Sequence, residues 1–498
     1  MGFRWIDFVV VGAYLLAITL FGARFGKRQR TLHDYFLGGR RLPWWAIAFS
    51  VVSAETSILT IISTPGIAYS TNLNFLQLVF GYVVARFVVA VILIPRYFAG
   101  EIYTAYQLIE QRFGRGLRTL TAALFLVTRA LAEGVRVFAI SIVVGVILKT
   151  GVLPSVLIIT ALTLYYTYRG GLTAVIWTDV IQLLIYVIGT AVALGLAVSR
   201  IPGGWPEVFN LATLSGNKLA LFNFHFDWHV PYQFWSGLIG GLFLSCASHG
   251  TDQLIVQRLL AARSMRESQK AIIASGGIVL AQFALFLFAG IVLFAFYQHH
   301  PPAEPFTRPD QIFPRFVASQ LPTGLAGLVV AAILAAAMAN LSAAFNSLAS
   351  SSVVDFYKPF LRPAADEGHY LRVSRLLTLM WGGVLIGIAL LAQLLHTSVL
   401  ELALTIASVP YGCMLGIFLL GVLTRRTSGG AAVLGAAAGL AVLLAVMGLT
   451  SVAWTWYVAI GTCATFFVGL AASHLFPGRG IKPADCGERD EARRMKYK

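Results

Sequence analysis

The chain has 498 residues, of which 58% are hydrophobic and only 12% charged, and it carries a formal net charge of +16 at pH 7. So apolar a composition, with apolar runs recurring from end to end, excludes an ordinary soluble protein and marks a polytopic helical membrane protein. The excess positive charge falls in short loops between those runs, as membrane orientation demands, so nucleic-acid binding is not needed to explain it.

The first apolar segment, Trp5 to Ala23, runs into a basic stretch without a small-residue cleavage site and reads as a retained helix rather than a signal peptide. Further windows able to cross roughly 30 Å of hydrocarbon follow it. Together they fall near residues 5–24, 44–69, 75–98, 118–148, 153–168, 173–198, 232–257, 271–298, 323–352, 371–396, 400–424, 428–448 and 452–475, about thirteen spans in all. Every odd-numbered loop is basic, from Arg24, Lys27 and Arg28 in the first to Arg425 and Arg426 in the eleventh, with Arg258, Arg263 and Arg266 counted in the seventh. The even loops carry few basic residues. The positive-inside rule therefore predicts an integral plasma-membrane protein with its N-terminus outside and its basic tail, 476–498, in the cytoplasm, in contact with membrane lipids. Cys246, Cys413, Cys463 and Cys486 are scattered without metal-type spacing, so neither a disulfide nor a metal cluster is expected.

Two spans break the apolar pattern in mid-membrane. The second holds Ser50, Ser53, Glu55, Thr56, Ser57 and Thr60; the seventh holds Gly240, Gly241, Ser245, Ser248, His249, Gly250, Thr251 and Asp252. Non-helical backbone at that depth is tolerated only where it lines a buried cavity. Interrupted helices five positions apart are what a five-plus-five inverted repeat would place around a binding site, whereas the plain alternative is small-residue packing. The ninth span carries Ala and Ser along one face with Asn340, Ser342, Asn346 and Ser347 among them, oxygens that suit a hard cation such as Na⁺.

Within the sixth span, Asp179 ends the run TYRGGLTAVIWTD. A carboxylate there costs several kcal/mol unless it is paired or holds a cation. That run, with DYFLGGRRLPWW (Asp34 to Trp45), DQLIVQRLLAARS (Asp252 to Ser264) and FNSLASSSVVDFY (Phe345 to Tyr357), resembles the landmarks of the sodium:solute symporter family, in order and spacing. The resemblance implies a LeuT-type inverted repeat preceded by one extra helix. It would divide the chain into an extra helix and basic loop (1–43), a first repeat (44–198), an extracellular loop (199–231), a second repeat (232–424), two C-terminal helices (425–475) and the tail. It also implies a Na⁺ site made of backbone carbonyls near Phe49, Val52 and Ala336 and of two hydroxyl positions that fall here on Ala339 and Asn340. Asp179 and Ser342 match a second, inner Na⁺ position. One hydroxyl is thus lost and the other becomes an amide, which leaves H⁺ coupling as the alternative to Na⁺.

For the solute, the resemblance places Thr56, Val279, Leu404 and Asp252 at positions that bind sugar in sugar-transporting members, and the apolar replacements argue against a sugar. Ser53, Thr56, Arg86, Arg136, Ser248 and Asp252 are the expected solute contacts. Arg136 is the preferred partner for a small organic anion, because its guanidinium forks onto a carboxylate. Arg86, Glu55, Glu133 and Arg136 could equally neutralise one another as buried pairs. His249 reads as a packing histidine or a proton-coupling group, and Asp252 as a gate or a helix cap. A channel would need a continuous polar stripe. An enzyme would need a nucleophile–base or metal motif, and none is present in the sequence. A non-transporting sensor would need an output domain, for which no stretch outside the spans is long enough. A secondary symporter remains, without an organic cofactor.

Overall fold

The computed structural model describes residues 4–475 except 101, 149–151, 303, 307 and 393–398; the side chains of 28, 58–59, 142–148, 152 and 399–409 are also outside the description. The 476–498 tail, with Cys486, and the side chain of Leu404 therefore lie outside the described residues. The described residues are helical throughout, without a strand beyond an isolated bridge between Leu42 and Ala262. In chain order the main helices are α1 (Trp5–Ala23), α2 (Trp44–Glu55), α3 (Ile58–Ser70), α4 (Leu76–Val88, continuing to Tyr97), α5 (Arg115–Leu148) and α6 (Val152–Ser199). They continue with α7 (Gly241–Gly250), α8 (Gln253–Leu260), α9 (Met265–His299), α10 (Leu325–Ser351), α11 (Glu367–Ala392), α12 (Val399–Leu423), α13 (Gly429–Leu449) and α14 (Tyr457–Leu475). Among the described residues eight helices are long and apolar enough to cross a membrane, or nine if the bent α2–α3 pair is one span. That is fewer than thirteen windows, in part because the side chains of 142–148 and 399–409 lie outside the description. The helix α6 runs through two windows, α7 and α8 are each short, and α5 carries Arg129, Glu133 and Arg136.

Both suspected breaks are real breaks in the helix. The first falls at Thr56, which is extended (φ −77°, ψ 107°), and α2 and α3 diverge there by 66°. Thr56 Oγ1 turns back onto Val52 O (2.8 Å), and Ser57 Oγ accepts from Thr60 N, so hydroxyls replace part of the lost helical ladder. The second break falls at Asp252, also extended, whose Oδ1 accepts from Leu254 N (2.9 Å) and starts α8. Asp252 is therefore a helix cap in addition to whatever else it does.

Small residues set how closely the helices approach. Almost all of α10 is buried, and its Ala/Ser face lies against α6. Between α4 and α7, a Cβ on Gly241 would stand 2.3 Å from Leu78 O. The Gly170-Gly171 turn within α6 is the one place where that helix leaves helical geometry: Gly171 has φ 54°, ψ −154°, and a Cβ there would meet Tyr35 O at 2.6 Å. The stretch from 199 to 231, expected as plain loop, contains a short helix, Gly204–Leu214.

The loops sort into two groups by their contacts. The basic ones tie to each other: Arg263 Nε donates to Arg41 O (3.1 Å), Leu32 N to Glu367 Oε2 (2.9 Å), and Arg112 to Thr424 O (3.4 Å). The others do likewise, with Lys218 Nζ on Tyr69 O (2.7 Å) and Ala453 N on Trp228 O (2.9 Å). This is the grouping that alternating, membrane-crossing spans produce.

Gly171→Ala should destabilise the protein by about 1–3 kcal/mol, because an L side chain is strained at this φ and clashes with Tyr35. Gly12→Ala, at a position with nothing within 4 Å, should not. Thermal unfolding of the two detergent-purified variants against wild type measures the difference.

Candidate functional site

A cavity of about 240 Å³ lies between the two helix breaks. Ala54, Glu55 and Ser57 reach it from the first break, Ser248, His249 and Leu254 from the second, and Arg129 and Arg136 from α5. Phe75, Tyr82, Tyr232, Phe283 and Trp454 supply aromatic walls, and Tyr232 and Trp454 place its mouth on the side of the non-basic loops. Of the expected solute contacts, Arg136 and Ser248 line this cavity. Ser53, Thr56, Arg86 and Asp252 do not. Thr56 is turned toward Gln282, whose amide exchanges hydrogen bonds with it (2.8 and 3.1 Å).

Arg86 is wholly buried and spent on partners. Its Nη2 pairs with Glu55 Oε2 (2.6 Å), and Nη1 donates to Ser245. It does not line the cavity, and in this structure it anchors Glu55. On α5, Glu133 Oε1 accepts from both Arg129 Nη1 (2.9 Å) and Arg136 Nη1 (2.5 Å). Arg129 Nη2 goes on to Asp252, which also accepts from Tyr411 OH (2.8 Å). Asp252 is thus held from α5 and α12 and is withdrawn from the cavity. Arg136 keeps 22% of its side-chain surface exposed, the most of these charged groups. His249 is buried, with Nδ1 near Ser248 Oγ (2.8 Å) and Nε2 3.4 Å from Glu55 Oε2. Removing one member of any such pair leaves an uncompensated buried charge, typically worth about 3–5 kcal/mol.

Deeper in, Asp179 is not a lone carboxylate. Its Oδ2 accepts from Ser50 Oγ (2.5 Å) and from Arg258 Nη2 (3.1 Å), and Arg258 Nε also donates to Ser50 (2.9 Å). Three elements, α2, α6 and α8, are pinned at one point. Arg258 had been counted among loop charges; it is 1% exposed, in a helix whose eight residues are all buried. The apolar flanks in LIVQRLL were the signal that it belongs to the interior.

The expected ion ligands are similarly engaged. Val52 O takes both the N–H (3.0 Å) and the hydroxyl of Thr56, and Ser342 Oγ donates to Ala339 O (3.0 Å). Asn340 Nδ2 donates to Ala54 O (2.8 Å), so an amide group meets a carbonyl that the helix break frees. Asn340 Oδ1, Asp179 Oδ1 and Ser53 Oγ are nevertheless buried without a hydrogen-bond partner among the described residues. Such oxygens are costly to leave bare and are the kind that a hard cation takes.

With two broken helices around a cavity lined by both charged and aromatic side chains, the fold and site define a membrane carrier, and comparison with known proteins identifies which kind. The sodium:solute symporter family profile matches residues 35–439, and the chain belongs to that family. It is 29% identical over 484 residues to the sodium/sialic acid symporter NanT of Aliivibrio fischeri, covering 95% of this chain and 94% of that one. It is also 29% identical to human sodium-coupled monocarboxylate transporter 1, over 88% of this chain and 72% of the relative. A solved structure of a substrate-bound, outward-open Na⁺-coupled sialic acid symporter superposes with a TM-score of 0.89 at 27% identity, covering 96% of this chain and all of that one. These relatives are sodium-coupled solute transporters, not enzymes.

Asp179→Asn alone should lower stability by about 3–5 kcal/mol, since it strands a buried guanidinium. Arg258→Gln in the same chain should recover most of that loss. Fluorescence-detected size exclusion and thermal unfolding of the single and double variants test the coupling; additive losses would show that the two side chains act independently.

Proposed function

We propose that this protein is a secondary symporter that takes up a small organic solute bearing a carboxylate on a Na⁺ gradient by alternating access. The observation that carries this reading is the cavity between the two helix breaks, into which Arg136 presents a partly exposed guanidinium. Because Glu133 occupies Nη1 of Arg136, the remaining nitrogens have no partner among the described residues and can fork onto a carboxylate. Relatives that carry sialic acid and monocarboxylates accord with a carboxylate solute.

The same reading takes 44–198 and 232–424 as five-helix repeats of opposite orientation, with about thirteen spans in total and the N-terminus outside. The two groups of loop contacts support that alternation, and a cavity mouth beside Tyr232 and Trp454 then opens outward. Na⁺ would be held near Phe49, Val52, Ala336 and Asn340, and in an inner position near Asp179 and Ser342. The orphaned oxygens of Asn340 and Asp179 support this; the Asn340–Ala54 and Asp179–Arg258 contacts weaken both positions. Those contacts favour a second reading, H⁺ coupling in the same fold.

Arg136→Lys should raise the apparent KM by about tenfold or more while protein remains in the membrane, because an ammonium replaces a planar fork with a point charge. Uptake in proteoliposomes under separately imposed Na⁺ and H⁺ gradients decides the coupling ion. Ala339→Ser, which restores a hydroxyl, should lower the Na⁺ concentration for half-maximal uptake severalfold; uptake that follows the proton gradient and ignores Na⁺ assigns the coupling to H⁺.

A further inference from the structure

The cavity has a second charged end besides Arg136. Glu55, the last residue of α2, lines it with 17% of its side chain exposed. Only Oε2 is engaged, by Arg86 and the nearby His249; Oε1 has no partner among the described residues. The wall around it is aromatic. Phe75 packs on Phe283 (ring centroids 5.6 Å apart), Phe283 meets Tyr82 edge-on (6.4 Å), and Phe75 meets Tyr232 (5.1 Å). A carboxylate oxygen beside several aromatic rings is a setting that attracts an organic cation, because the ring faces carry negative charge and the acid completes the pairing.

The charge balance points the same way. The arginines around the cavity, Arg86, Arg129 and Arg136, are matched one for one by Glu55, Glu133 and Asp252, each joined to a partner. A solute with a net negative charge would add an unmatched charge to this balanced set in a low-dielectric space, beside the free oxygen of Glu55. A solute bearing both signs would not.

We propose that the solute is zwitterionic, an amino acid or a betaine, whose carboxylate lies on Arg136 and whose ammonium lies on Glu55 among Phe75, Tyr82 and Phe283. This presupposes the carboxylate contact at Arg136 proposed above and adds the cationic end.

Isosteric pairs test it on the wild-type carrier. Glycine betaine and tert-butylacetate share one shape and differ by the nitrogen charge, as do alanine and isobutyrate. Binding to the purified, lipid-reconstituted carrier in Na⁺ is measured by calorimetry, with sialic acid as a hydroxyl-rich carboxylate and glucose as a neutral solute. In at least one pair the zwitterion should bind about tenfold tighter than its isostere and than sialic acid. The double variant Glu55→Gln with Arg86→Gln, which removes the acid without stranding its partner, should abolish that preference while retaining carboxylate binding. Equal or tighter binding of the plain carboxylates or of sialic acid overturns the zwitterion and leaves the carboxylate site standing. Binding of glucose without competition from any carboxylate overturns both, and absence of the preference in both pairs overturns the zwitterion.

Discussion

No charge in the hydrocarbon can be left to water, and nearly every functional feature of this molecule follows from how that demand is met. Around the cavity and the inner acid the arginines and carboxylates are paired: Arg86 with Glu55, Arg129 with Glu133 and Asp252, Arg136 with Glu133, Arg258 with Asp179. Three of the pairs, Arg86–Glu55, Arg129–Asp252 and Arg258–Asp179, join different helices, so charge compensation also serves as tertiary fastening. Where a pair leaves something over, as at Arg136 and Glu55, the surplus faces the cavity.

The broken helices obey the same rule for backbone groups. Each break frees N–H and C=O groups that hydroxyls, Asp252 and Asn340 then satisfy. In a carrier that holds Na⁺ at such a break, the ion does part of this work. Here a side-chain amide makes one such contact, Asn340 on Ala54 O, and a guanidinium sits at the inner acid, Arg258 on Asp179.

Similarity to relatives and the local chemistry bear on different questions. Overlap with a sialic acid symporter along nearly the whole chain accounts for the architecture. What the cavity selects depends on a few side chains on its wall, and at 27–29% identity those are free to differ. The aromatic cluster around Glu55 is a feature of this wall, and Glu133, shared by two arginines, lies behind it.

Much of the fold was legible in the sequence because its signals are local. Apolar length marks a span, basic residues mark the side of a loop, and small or hydroxyl residues in mid-span mark the breaks, found at Thr56 and Asp252. The Gly-Gly turn before Asp179 was legible for the same reason. Pairing was not. That Arg258 leaves the loop charges to meet Asp179, that Arg86 turns away from the cavity, and that Tyr411 closes on Asp252 depend on contacts across 79, 31 and 159 residues of chain. The sequence by itself determined that charges and polar groups lie within the membrane and must find partners. Only the tertiary structure decided which partners, because electrostatic and hydrogen-bond satisfaction depend on distance in space and leave no periodic trace along the chain.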